Sequence, residues 1–149
     1  MGRKLLITGA VLNLVIAAGH IAALFFLDWA FEFTGIAGHV EKYAGPTPWM
    51  GYAVTAVVAI LFCLMGLYGL SGARVMRKFP LLKPAIALIT IVYAARGVLG
   101  LAYEILSQEQ WLSGIVFSSI ALFIGFCYLC GGIWRWHGKG RGRYYKTQD

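Results

Sequence analysis

A chain of 149 residues with 60% apolar and only 13% charged side chains lies outside the soluble globular range, where about a quarter of residues are charged. A mean hydropathy of +0.73 points the same way, so the net charge of +7 has to be read by its placement and not as a nucleic-acid signal. All three cysteines (Cys63, Cys127 and Cys130) fall inside apolar runs, which excludes a loop disulfide framework.

A membrane-crossing helix needs about 20 mostly apolar residues. The first candidate runs from Leu5 to Leu27. Its start, "MGRKLLITGAVLNLVIAAGH", has the basic head and apolar body of a secretory signal. The apolar run continues through "HIAALFFL", longer than a signal core, so the expectation is a retained first span. Asp28–Pro48 follows as a long connection with room for a short interfacial helix. The second span is Trp49–Leu70, and Ser71–Lys83, "SGARVMRKFPLLK", is a basic connection punctuated by Gly and Pro. The third span is Pro84–Leu106. Only Ser107–Gln110 separates it from the fourth, Trp111–Trp134, so these two should be antiparallel neighbours. Residues 135–149 form a basic tail. With hydrocarbon prohibiting open backbone, the expected fold is all-α: one domain over 1–149, an integral-membrane, antiparallel four-helix bundle.

Eleven of the 13 Lys and Arg residues fall on one side of these spans: Arg3, Lys4, Arg74, Arg77, Lys78, Lys83, Arg135, Lys139, Arg141, Arg143 and Lys146. Lys42 alone is on the other side, with Asp28, Glu32, Glu41 and Glu109. The positive-inside rule then puts both termini in the cytoplasm of a bacterial inner membrane. Trp29, Trp49, Trp111, Trp134 and Trp136 mark span ends, as interfacial anchors do. The basic excess is thereby assigned to topology and contact with anionic lipid, about 1 kcal/mol per residue near the surface. The clustered charge of "GKGRGRYYK" is weak evidence for nucleic acid, and no such partner is expected.

Arg96 is the residue least at home, set in "IVYAARGVLGLAYE". Tyr93, Arg96, Gly100 and Glu104 share a face of the third span, with Tyr103 beside it. A charge at mid-depth costs about 2.5–3.5 kcal/mol on insertion scales, and such residues usually face a bundle interior. Arg96 and Glu104 are roughly 12 Å apart along the helix, too far for a simple ion pair. At comparable depth lie Asn13 and His20 on the first span, Tyr52 and Thr55 on the second, and Ser118 and Ser119 on the fourth. The expectation is an outer-half polar pocket built from Arg96, His20, Glu104, Tyr93, Asn13, Tyr103, Tyr52 and Ser118. The competing expectation is that these groups act only as interhelical hydrogen-bond glue. A guanidinium that stays charged favours a carboxylate, phosphate or headgroup anion.

Small residues form stripes on the fourth span (Gly114, Ser118, Ala121, Gly125, Gly132) and the second (Ala56, Ala59, Cys63, Gly66), which lets helices approach closely. "CYLC", Cys127 to Cys130, resembles the membrane-helix cysteine pair of four-helix thiol oxidoreductases of the vitamin K epoxide reductase kind. The likeness covers that motif alone. Here the pair sits towards the basic end and no loop cysteine exists to relay electrons, so no role is carried over and packing cysteines are expected. His20 is the one histidine inside a span, which leaves haem without a second axial imidazole. His39, Glu41 and Glu32 lack diagnostic metal spacing. No cofactor, metal site or catalytic constellation is therefore expected.

Taken together, these features suggest a small polytopic protein whose intramembrane pocket binds or conducts a small anionic or lipid-like ligand, with an oligomer needed for conduction. Two further readings stay open: an accessory or scaffold subunit of a larger membrane complex, and a membrane oxidoreductase using Cys127 and Cys130.

Overall fold

The computed structural model describes residues 1–34, 48–107 and 112–137. It contains α1 (Gly2–Ala23), α2 (Leu27–Thr34), α3 (Pro48–Gly72), α4 (Leu82–Ser107) and α5 (Leu112–His137), with no strand among the described residues. Four of these helices, all but α2, are long and apolar enough to cross a membrane.

Helix ends differ from the apolar runs by a few residues. α1 begins at Gly2 and includes Arg3 and Lys4, and α5 continues through Arg135 to His137. A helix does not stop where hydrocarbon stops, because charged side chains reach the headgroup layer while the backbone continues its own hydrogen bonding. The C-terminal end of α1 differs in the other direction. It stops at Ala23, and tightened bonds from Leu24 N to Ile21 O, Phe25 N to Ala22 O and Phe26 N to Ala23 O (3.0–3.2 Å) turn the chain into α2. Asp28 sits in the first turn of α2, where a carboxylate favours the positive helix start. Leu27 and Phe31, four residues apart, close on Gly51 of α3, while Trp29 and Phe33 stack on the exposed side with ring centroids 5.2 Å apart.

α1 packs extensively on α3 and also on α5, α5 packs extensively on α4, and α3 touches α4 only lightly. The lateral order is thus α3–α1–α5–α4, with a lightly made closure between the outer two. On the α1–α5 seam, Leu6 fits against Gly131 and Gly9 against Tyr128 and Cys127. On the α4–α5 seam, Tyr93 meets Gly125, Gly97 meets Leu122 and Gly100 meets Ser118. Leu6, Ile86, Ile124 and Tyr128 are buried at the centre.

Little of each span is covered. Only 22–33% of the apolar windows of the four spans is buried, and Val15, Ile60, Ile91, Leu99 and Phe123 are exposed. A soluble monomer rarely carries apolar patches of that extent, whereas hydrocarbon solvates them at no cost.

The α3–α4 connection is held by defined bonds. Val75 N reaches Leu70 O at 3.0 Å and Arg74 N reaches Ser71 O at 3.1 Å, a Schellman ending with Arg74 in the left-handed region at φ 57. Buried Ser71 donates its hydroxyl to Arg77 O and accepts from Phe79 N, both at 2.9 Å.

Candidate functional site

The residues singled out from the sequence fall into three separate groups. The first is a closed network at mid-bundle, centred on Asn13, which is fully buried. Its Nδ2 donates to Gly9 O at 2.9 Å and to Tyr128 Oη at 3.3 Å, and its Oδ1 accepts from Tyr93 Oη. Tyr128 Oη then donates to Met65 O at 2.7 Å. One chain of hydrogen bonds thereby links α4, α1, α5 and α3. The hydroxyl of Tyr128 reaches a helical carbonyl because Gly69, four residues beyond Met65, leaves room: a Cβ there would lie 2.6 Å from Tyr128 Oη. Gly9 does the same for the ring, since a Cβ on it would lie 2.8 Å from Tyr128 Cε2. The Tyr93 and Tyr128 rings are near-parallel with centroids 6.5 Å apart.

Asn13 and Tyr93 are thus spent on each other and on Tyr128. Every amide and hydroxyl hydrogen in this network, save none, has an acceptor, which is what a low-dielectric interior demands. Tyr128 is not marked in the sequence, where it stands inside "CYLC" as one more apolar-run aromatic; the signal for it is the pair of glycines, Gly9 and Gly69, which need one large partner between them.

The second group is His20 alone. Its Nδ1 lies 2.9 Å from Ile16 O, and a carbonyl only accepts, so that nitrogen carries the proton. The imidazole packs on Phe62 of α3 with centroids 5.1 Å apart. His20 therefore belongs to the α1–α3 seam, and no hydrogen bond or ion pair joins it to Arg96.

The third group is a strip along α4 and α5. Arg96 is exposed on the flank of α4, and its Nη1 donates one long bond, 3.4 Å, to the Oγ of buried Ser118. Gly100 sits directly beneath this contact: a Cβ on it would run into both Arg96 Nη1 and Ser118 Oγ. One turn earlier on α5, Gly114 lies under the half-buried Glu104, whose carboxylate occupies the place a side chain would take. Both glycines let charged side chains lie flat along the helix pair. No ion pair joins Arg96 to Glu104 or to any other described residue.

Tyr52 and Tyr103 are exposed and outside all three groups, while Thr55 is buried in α3. Cys127 is buried against Gly9, Cys130 and Cys63 are half-buried, and all three are free thiols. No cluster of three or more His, Cys, Asp or Glu residues suited to a metal occurs among the described residues. His39, Glu41, Lys42, Glu109, Trp111 and the tail cations Lys139, Arg141, Arg143 and Lys146 lie outside them.

The chain matches no protein-family model, no curated protein and no solved structure.

Proposed function

We propose that this chain is a multi-pass protein of a bacterial inner membrane, an antiparallel four-helix bundle with both termini cytoplasmic, that binds a small anionic or lipid-like ligand on the α4–α5 flank through Arg96. The antiparallel reading is supported by how contacts progress. Numbers rise on one helix as they fall on its neighbour: Gly97 with Leu122 then Gly100 with Ser118, and Ala10 with Gly69 beside Leu14 with Gly66. The orientation is supported by Arg3, Lys4, Arg74, Arg77, Lys78, Lys83 and Arg135 gathering at one end, and Asp28 and Glu32 at the other.

The observation that carries the binding reading is the under-satisfied guanidinium. Arg96 lies three turns inside the outer end of α4, roughly 16 Å along the axis, and has a single long contact to a neutral hydroxyl. A group of five donors at that depth, with no carboxylate on it, gains most from an anion with two or more acceptor oxygens. Tyr93 and Asn13 support the site only by holding the bundle.

Spin-labelled stearate in phosphatidylcholine vesicles tests this directly. The reconstituted wild-type chain should immobilise a fraction of the label, and Arg96→Gln should lose that fraction while keeping its helical circular-dichroism spectrum. Immobilisation unchanged in the variant would remove the reading.

The same exposed guanidinium favours a second reading, in which a further copy or a larger complex covers the flank and supplies the anion. Leu99, exposed one turn from Arg96, reports on it. Leu99→Cys would cross-link within the membrane if another helix packs there, and would stay monomeric on gels if lipid does.

A further inference from the structure

At the other end of α4 and α5, the α3–α4 connection encloses a half-open groove of about 920 Å³. Four cationic side chains line it: Arg74 and Lys78 from the connection, Lys83 from the first turn of α4, and Arg135 from the last turn of α5. No carboxylate lines it, and none of the four has an ion pair among the described residues. Concentrating four like charges around one cavity is unfavourable unless something of opposite sign enters.

We infer that this groove holds the phosphate headgroup of an anionic membrane phospholipid, with Lys83 and Arg135 as the principal contacts. This goes beyond the Arg96 reading and does not depend on it.

Four features favour a lipid phosphate over other anions. The groove lies at the basic end of the spans and is lined by Trp136, at the level where interfacial aromatics and headgroups meet. Apart from Ser71, whose hydroxyl is engaged with Arg77 O and Phe79 N, its remaining lining is mostly apolar, with Met76, Leu81 and Leu82 beside Trp136, so an amphiphile finds both of its halves matched. Leu81 is strongly exposed, at 77%, on the rim where an acyl chain would leave. The start of α4 also opens here, adding the positive end of a 26-residue helix dipole to the side-chain charges.

Among the described residues no carboxylate lies at this end: Asp28 and Glu32 fall at the other end of the spans, and Glu104 lies beside Gly114 near the far end of α4. The groove also contains both of the described non-glycine residues with left-handed backbone, Arg74 at φ 57 and Leu81 at φ 51. Each costs about 1–2 kcal/mol relative to glycine-like freedom. Arg74 ends α3 and Leu81 precedes α4, so these two conformations set the shape of the cavity wall.

The experiment uses the full chain in phosphatidylcholine vesicles with spin-labelled phosphatidylglycerol at a trace level. Wild type should show an immobilised component selective for phosphatidylglycerol over spin-labelled phosphatidylcholine. The double variant Lys83→Gln/Arg135→Gln should weaken that selectivity by about tenfold or more, as expected when two charge-assisted contacts to a phosphate are lost. Arg3→Gln/Arg77→Gln removes the same charge from the same end but not from the groove lining, and should change it by less than about threefold. Lys83→Arg/Arg135→Lys keeps the charge and should retain the selectivity, which separates charge from misfolding. Equal losses in the two Gln pairs would mean diffuse surface attraction and overturn the groove. Release of the lipid by inorganic phosphate, beyond sodium chloride at equal ionic strength, would overturn the lipid assignment in favour of a free anion.

Discussion

The Asn13 network and the Arg96 strip are built from similar ingredients, a polar side chain on one helix facing hydroxyls and glycines on the next, and they end in opposite states. At Asn13 the glycines (Gly9 and Gly69) bring a tyrosine close enough to close the hydrogen bonding, and the network is buried. At Arg96 the glycine (Gly100) makes room for the guanidinium itself, and the hydrogen bonding stays open. A saturated polar cluster in an apolar interior acts as a clamp that fixes helix rotation and depth. An unsaturated, exposed one retains binding capacity. The difference sets a saturated polar group apart from an unsaturated one within one small bundle.

The sharpest way to break this comparison is at the clamp. In Gly69→Val, even the new Cβ would sit 2.6 Å from Tyr128 Oη and 2.8 Å from Ala10 Cβ, and two methyl groups would follow. Tyr128 must leave Met65 O and α1 must move away from α3. The expected cost is about 3 kcal/mol, the upper end for overpacking, read as a lower midpoint in detergent-to-SDS unfolding followed by circular dichroism. A wild-type midpoint would mean the tyrosine slot is not close-packed.

Asn13→Leu keeps the branched shape of the side chain, with methyl groups larger than the amide atoms they replace, and removes the hub of the network. It strands the Tyr93 hydroxyl and takes one donor from Tyr128, and should cost about 2 kcal/mol in the same assay, within the range for leaving a buried polar group unpaired. A smaller loss, near the ~0.6 kcal/mol average of interhelical contacts in membranes, would show the two tyrosines finding other acceptors.

Which parts of this were legible beforehand follows from physics. Four spans are visible because hydrocarbon thickness sets a length and a composition, and both can be counted. The short Ser107–Gln110 connection makes α4 and α5 neighbours, as their extensive packing shows. The end of α1 is not legible: the chain turns at Leu24, Phe25 and Phe26, three apolar residues with no Gly or Pro to mark the break, because the determinant is the seat for Leu27 and Phe31 at Gly51 of another helix. Depth was readable for the polar residues, whereas azimuth was not. Tyr93 and Arg96 lie one turn apart on α4, and Asn13 and His20 two turns apart on α1, yet helix rotation sends Tyr93 to Asn13 and Asn13 to Tyr128, His20 to Phe62 and Arg96 to Ser118. A single pocket read from depth and helical phase resolves into three groups.

Arg96→Leu is the smallest expected change in stability and the most telling. Its one contact is a 3.4 Å bond to a neutral hydroxyl, while removing the charge relieves an insertion cost of about 2.5–3.5 kcal/mol. The two tendencies make the variant as stable as wild type within about 0.5 kcal/mol, or somewhat more stable, in the assay that registers Asn13→Leu as a clear loss. Ser118, freed of the guanidinium, can turn its hydroxyl back to a carbonyl of its own helix, as Ser119 does to Ile115 O at 2.8 Å, so no buried hydroxyl is stranded. Stearate immobilisation should vanish in this same variant. A fall in stability comparable to Asn13→Leu would place Arg96 among the structural members of the bundle, and the distinction between a closed clamp and an open binding strip would no longer hold.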